Sequence, residues 1–258
     1  MSSVRIRVDL AYDGTGFRGW ARQKGDAVRT VQQVVEEALS TLAGLPVAST
    51  AAGRTDAGVH AEHQVVHCDV PDGCRLVTDL GRARAALDAM CGPEVAIWRV
   101  RRVPASFDAR FSAASRRYRY RLAEGTAMSP LERHRTWHVQ PPRLDVARMD
   151  EGGQHLVGEH DFSSFCRRAG DQHLVRRIDR LTVRRRPAGL VTVDVGGKAF
   201  CHQMVRSVVG CLTAIGRGRH PPQWAAEVLA ARDRQAVGEI APPHGLTLTA
   251  VSYAAGSG

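Results

Sequence analysis

The chain has 258 residues, 43% hydrophobic and 24% charged, which is ordinary for a globular protein of one or two domains and unlike a disordered or fibrous chain. No apolar run approaches the roughly 18 residues of a transmembrane span. A formal net charge of +10 calls for a polyanionic partner, either nucleic acid or an anionic membrane surface.

Nearly all of that charge is arginine, since lysine occurs only at Lys24 and Lys198. Arginine grips phosphate in a bidentate fork and stacks on bases, which suits RNA. A GC-rich genome gives the same Arg bias but does not explain the net charge. Six cysteines, Cys68, Cys74, Cys91, Cys166, Cys201 and Cys211, form no C-x-x-C pair. They predict free, mostly buried thiols in a reducing cytosol. No secretory leader is expected, because the first residues enter a strand pattern directly.

Val4, Ile6, Val8 and Leu10 alternate with Arg5, Arg7 and Asp9, so residues 4–12 predict a half-buried strand. Gly14-x-Gly16-x-x-Gly19 follows and matches the dinucleotide fingerprint. The third glycine should open a helix, but the polar stretch Trp20-Ala21-Arg22-Gln23-Lys24-Gly25 comes next. The helix starts only at Thr30, which forms a capping box with Gln33, and Gly44 is placed to end it. The glycine-rich segment is therefore read as a loop carrying Arg18, Trp20 and Arg22, better suited to RNA than to a pyrophosphate.

Residues 47–52 predict a short strand and Gln64–Val70 a firmer one. Between them lies Gly53-Arg54-Thr55-Asp56-Ala57-Gly58-Val59-His60, two glycines bracketing one carboxylate. Glycines permit backbone angles that other residues avoid, so this octet predicts a tight loop with Asp56 at its apex. On residues alone, Asp56 either hydrogen-bonds its own turn or carries function, as loop residues often do. Pro71-Asp72-Gly73 predicts a turn. Thr78 is placed to cap a helix ended by Gly92-Pro93, and 95–103 a strand. The order so far is the ferredoxin-like β-α-β-β-α-β.

Residues 104–115 lack a strong period and are read as the hinge between domains 1–105 and 106–258. Arg117, Arg119 and Arg121 then alternate with Tyr118, Tyr120 and Leu122 as a strand. Residues 144–157 predict a helix weakened by Gly152 and Gly153. Residues 175–186 and 190–195 predict a hairpin, 202–215 a helix, Pro221-Pro222 the start of another, and 246–252 a last strand. The fold class read here is α+β, one design used twice: two ferredoxin-like β-α-β-β-α-β lobes with mainly antiparallel sheets flanking a central RNA-binding cleft.

Five blocks resemble, in order, the motifs of the TruA family of tRNA pseudouridine synthases. They are Tyr12–Trp20, the Gly53–His60 octet, Phe107–Ala113 with Arg116-Arg117-Tyr118-Arg119-Tyr120, His202–Arg206, and His244-Gly245-Leu246. The resemblance runs through almost the whole chain. It implies isomerisation of uridine to pseudouridine at positions 38, 39 and 40 of the tRNA anticodon stem-loop, by a cytoplasmic homodimer that needs no cofactor. It implies that Asp56 is the essential carboxylate, Arg206 the cation paired with it, Tyr118 the ring that stacks on the target, and Arg54 a holder of the flipped nucleotide. Tyr118 reads equally, on pattern alone, as a core aromatic facing inward with Tyr120.

Arg18, Trp20, Arg22, Arg110, Arg117 and Arg119 are candidate RNA contacts. His60, His63, His67 and Cys68 invite a metal reading. A strand would send His60 and His63 to opposite sides, so no metal is expected and His60 is assigned to the loop framework at the substrate site. Three positions depart from the family pattern: Ala21 where Gln is frequent, Asp108 where His is, and Ser207 where Asn is. They bear on RNA contacts and substrate choice.

Overall fold

The computed structural model describes residues 2–23, 28–168 and 173–254, so the end of the glycine-rich loop at 24–27 lies outside the described residues. In chain order the elements are β1 (Ser3–Tyr12), α1 (Val31–Ala43), β2 (Thr50–Ala51), β3 (His60–Pro71), α2 (Arg75–Thr78), α3 (Leu80–Cys91), β4 (Val95–Val103), β5 (Ala113–Glu124), β6 (Trp137–Val139), α4 (Val146–Gln154), β7 (Gly158–Asp161), β8 (Val175–Ile178), β9 (Arg180–Arg185), β10 (Leu190–Gly197), α5 (Met204–Gly216), α6 (Trp224–Ala231) and β11 (Leu246–Tyr253). The class is mixed α+β with mainly antiparallel pairing. No described helix is long and apolar enough to cross a membrane.

The chain divides into two compact units, Met1–Arg116 with Leu248–Gly258, and Arg117–Thr247. The boundary expected after residue 105 falls earlier than this division. The reason is that 105–109 is held to the first unit: Arg5 donates to the carbonyls of Ala105 and Phe107 at 2.7 and 2.8 Å, and the Ala109 amide donates to His67 at 3.0 Å.

In the first unit β1 pairs antiparallel with β3 on one side and β4 on the other, β2 adds two residues to β3, and β11 lies beyond β3. Ile6, Val8, Leu10 and Tyr12 form one buried row. Each large aliphatic side chain so buried contributes about 1.5–3 kcal/mol. Helix α3 packs along β4 and α1 against α3. Thr30 caps α1 by accepting from the Gln33 amide, and Gly44 ends it in the left-handed region, as its sequence predicts. Helix α3 is capped by Asp79, which accepts from the Arg82 amide, whereas Thr78 closes the separate turn α2.

The second row of β1 differs from the half-buried strand expected. Arg7 and Asp9 are buried too, paired at 2.6 Å, with His63 Nε2 3.1 Å from the same carboxylate oxygen. Burial alone would raise the Asp9 carboxyl pKa, but hydrogen bonds from His63 and Arg7 outweigh it and hold it below the usual range. The Arg7 guanidinium also lies 4.7 Å over the Tyr253 ring. A charged residue on a strand counts as exposed in an alternation pattern, and only its partners show otherwise.

In the second unit β9 and β10 form an antiparallel ladder, β5 lies beside β10, and β6 adds to β5 in parallel. The single strand expected over 175–186 breaks at Asp179, whose amide donates to the Gly196 carbonyl at 2.8 Å. Before the break β8 pairs with β7; after it β9 pairs with β10. Helix α4 packs on β9 and α5. A Cβ at Gly152 would lie 2.8 Å from Ile215 Cδ1, and one at Gly153 would meet Leu181. These glycines cost the helix about 1 kcal/mol each in propensity and permit its close approach. Cys166 and Cys201 form a disulfide with Cα atoms 5.7 Å apart, which corrects the expectation of six free thiols; the 163–165 turn packs against α5 and brings the two within disulfide range. Cys68, Cys74, Cys91 and Cys211 are free.

Candidate active site

The octet forms the loop expected, between β2 and β3, with Asp56 half-buried and Arg54 exposed. Of its two glycines only Gly58 is left-handed, at φ 78. Gly53 is held differently. The side chain of Gln64, fully buried in β3, donates to the Gly53 carbonyl at 2.6 Å, and its Oε1 accepts from the amides of Gly53 and Val65. Thr55 is tied to the Tyr12 hydroxyl at 2.8 Å, and its carbonyl accepts from the Trp20 amide at 3.0 Å. The Asp56 carbonyl accepts from the Val59 amide, closing the turn.

The glycine-rich loop is the other wall of this turn. A Cβ at Gly14 would run into the backbone of Val59, and one at Gly19 would lie 2.9 Å from the Thr55 carbonyl oxygen and 3.2 Å from the Asp56 carbonyl carbon. Gly19 also sits at φ 94. These glycines serve contact between two protein loops, so the dinucleotide reading of the motif has no structural basis. The Gly14 amide donates to His60 Nδ1 at 3.0 Å, which makes buried His60 part of the same framework. Trp20 is 1% exposed and its ring packs on Tyr12, with centroids 5.9 Å apart. It supports the loop from behind and presents no surface to a ligand. Arg18 and Arg22 beside it are exposed.

The three histidines of the metal reading find separate partners: His60 with Gly14, His63 with Asp9, His67 with Ala109. No group of three potential ligands occurs among the described residues. Asp108, a departure from the family pattern, accepts from the amides of Arg110 and Phe111 at 2.8 Å each. It thereby builds the turn that leaves Arg110 and Phe111 exposed, a capping task to which Asp is suited.

Burial lowers the pKa of His67, its largest influence, against the opposing charge of Asp108. The neutral ring accepts from Ala109, and a protonated ring cannot. Its folded pKa lies below the unfolded value of about 6.5, so its stabilisation is present above that pH and lost as pH falls. His67→Asn keeps an acceptor oxygen without titrating. Its melting temperature is expected to fall less than the wild type's between pH 7 and pH 5; equal slopes would remove His67 from the acid sensitivity.

In the second unit Tyr118 is 7% exposed, its ring edge-on to Phe200 with centroids 5.2 Å apart. Tyr120 is fully buried, and its hydroxyl donates to the Pro242 carbonyl at 2.7 Å. A Cβ at Gly245 would lie 2.5 Å from the Tyr120 ring, which accounts for the glycine in His244-Gly245-Leu246. Arg117 is exposed on the opposite face of β5, and Arg119 pairs with Asp194 at 2.7 Å.

Arg206 leaves the first turn of α5 half-buried, its Nε 2.8 Å from the Ala241 carbonyl. Gln203, just before the helix, is left-handed at φ 64. Ser207, another departure, is buried and accepts from Arg234 at 2.8 Å, while Arg234 also reaches Ser164 and Gln203. Sequence reasoning missed Gln64 and Arg234. A lone amide inside a Val-rich strand was the available signal for Gln64.

The sequence matches the family model described as tRNA pseudouridine synthase over residues 10–112 and 153–254. It is 50% identical to "tRNA pseudouridine synthase A" of Frankia casuarinae, over 97% of this chain and 89% of that one. It is 44% identical to the protein of that name from Streptomyces griseus, over 98% and 89%, and 46% identical to that from Nitrosococcus oceani, over 97% and 94%. With the family model matched over most of the chain and relatives matched over nearly their full length, the chain belongs to the tRNA pseudouridine synthase family.

Proposed function

We propose that this isomerase converts uridine to pseudouridine at positions 38, 39 and 40 of the tRNA anticodon stem-loop, with Asp56 as the essential carboxylate. The reaction breaks the bond between uracil N1 and ribose C1′, turns the base, and rejoins it through C5. Atoms and electrons are conserved, so the chemistry needs no redox partner. It does need a carboxylate that acts as nucleophile, base or electrostatic stabiliser near C1′ and C2′. The observation that carries this reading is the Asp56 loop, whose backbone is held by Gln64 and Val65 from β3 and by Trp20 from the glycine-rich loop, with the Thr55 side chain tied to Tyr12 at the end of β1. Rigid placement of the reacting group is what such catalysis requires.

A stem uridine must leave the stack before its sugar can be reached. Arg54, exposed two residues before Asp56, is assigned to hold the flipped nucleotide. Tyr118 is assigned as the platform for its base, and Arg206 as the cation that keeps the carboxylate ionised, both on the family resemblance. Exposed Arg18, Arg22, Arg110 and Arg117 are assigned to phosphate. The order β1-α1-β2-β3-α3-β4 supports a ferredoxin-like design in the first unit, and the resemblance supports the same design in the second and a cytoplasmic homodimer.

The test is incubation with unmodified tRNA, then nucleoside chromatography and mapping of the modified positions. Pseudouridine confined to positions 38–40 is expected. Binding without conversion would leave a non-catalytic RNA-binding protein in its place.

A further inference from the structure

We propose that Arg116 is a positioning residue for the reaction, tying the segment that leads into the Asp56 loop to the Arg110–Phe111 turn. The proposal rests on the assignment of Asp56 above. Arg116 is 7% exposed. Its Nε and Nη2 lie 2.9 and 2.5 Å from the Ala52 carbonyl oxygen, and Nη2 also lies 2.6 Å from the Arg110 carbonyl oxygen. Two carbonyls from distant parts of the chain, bridged by one buried planar group, are a geometric restraint.

Both ends of the bridge are themselves fixed. Ala52 lies four residues before Asp56, and its amide donates to the Val65 carbonyl at 2.8 Å. Gly53 is next and is held by Gln64. The backbone entering the loop is thus pinned by β3 through Val65 and Gln64 and by Arg116 through the Ala52 carbonyl. At the other end, the Arg110 carbonyl belongs to the turn built by Asp108, which exposes Arg110 and leaves Phe111 76% exposed. The Arg110 guanidinium lies 5.3 Å from the Phe111 ring, a cation and an aromatic face of the kind that meets phosphate and base. A shift of this turn on engaging RNA is passed by a stiff group to the backbone that places Asp56. Lysine replaces the bridge only in part, since its single ammonium lacks the fixed fork that spans both carbonyls.

The experiment compares Arg116→Gln, Arg116→Lys and Asp56→Asn with wild type for kcat, KM, tRNA affinity and thermal unfolding. Misplacing a reacting group by about 1 Å can cost on the order of 10²-fold in rate. For Arg116→Gln, kcat is expected to fall about that far with tRNA affinity within a few fold of wild type, and Arg116→Lys to recover part of the loss. If the Gln variant does not fold, the Lys variant, which keeps the charge, carries the comparison. A folded Arg116→Lys protein with wild-type kcat, or a loss confined to KM, overturns the proposal. Asp56→Asn separates the two assignments: turnover surviving there removes Asp56, while loss there with wild-type kcat in Arg116→Lys removes only Arg116.

Discussion

Asp56→Asn is expected to reduce pseudouridine formation to background while tRNA affinity stays within a few fold of wild type. The substitution preserves size and the neighbouring backbone bonds but removes the charge and the nucleophilic oxygen. The loop's backbone is held through other groups. Its turn closes through the Asp56 carbonyl and the Val59 amide, and its flanks are held by Thr55, Gly53 and Ala52. The fold is expected to survive on these backbone bonds, and with a folded variant lost turnover will report chemistry. Affinity is expected to persist because phosphate contacts from exposed arginines supply most of it. Conversion and binding measured side by side on one unmodified tRNA decide the matter. Substantial remaining turnover would reduce the octet to a structural loop.

The parts of this fold that were legible in the sequence are those whose signals are local. The alternation of Ile6, Val8 and Leu10 gave β1, and Thr30 with Gly44 bounded α1, because a strand period and a helix cap are written in neighbouring residues. The Asp56 loop was legible from its glycines. What escaped is defined by a partner elsewhere. Strands β6 and β7 have three and four residues, too few for a period, and exist because β5 and β8 accept them. The break at Asp179 is set by Gly196. Within the site, Arg116 falls in phase with Tyr118 and Tyr120, but nothing local names the Ala52 and Arg110 carbonyls that it bridges. Gln64 showed locally as a lone amide in a Val-rich strand, but its partner Gly53 lies eleven residues away. Trp20 was read by residue type as an RNA contact, but its burial depends on Tyr12 and on the loop it carries.

Gly14→Ala is expected to damage this protein far more than Gly16→Ala, although both belong to one glycine-rich motif. Neither position has a left-handed φ, so backbone strain does not separate them. The space around them does. A Cβ at Gly14 would fall 2.6 Å from the Val59 carbonyl carbon and nearer still to its oxygen, whereas at Gly16 the nearest atom is the Glu94 carboxylate at 3.4 Å. Backbone cannot swing aside as the end of a side chain can, so the Gly14 methyl must part the two loops. Overpacking of this kind costs about 1–3 kcal/mol. The displaced segment is the one that closes the Asp56 turn, and the Gly14 amide that moves with it is the donor to His60. Turnover is expected to fall on the order of 10²-fold, with tRNA binding changed much less. Gly16→Ala should leave turnover intact, and restricting the unfolded chain can stabilise it by about 0.4–1 kcal/mol. Thermal unfolding and turnover of the two variants test the argument together. Equal damage from both would mean that the motif's glycines serve backbone flexibility, and full activity in Gly14→Ala would show that the two loops are not held against each other when the enzyme works.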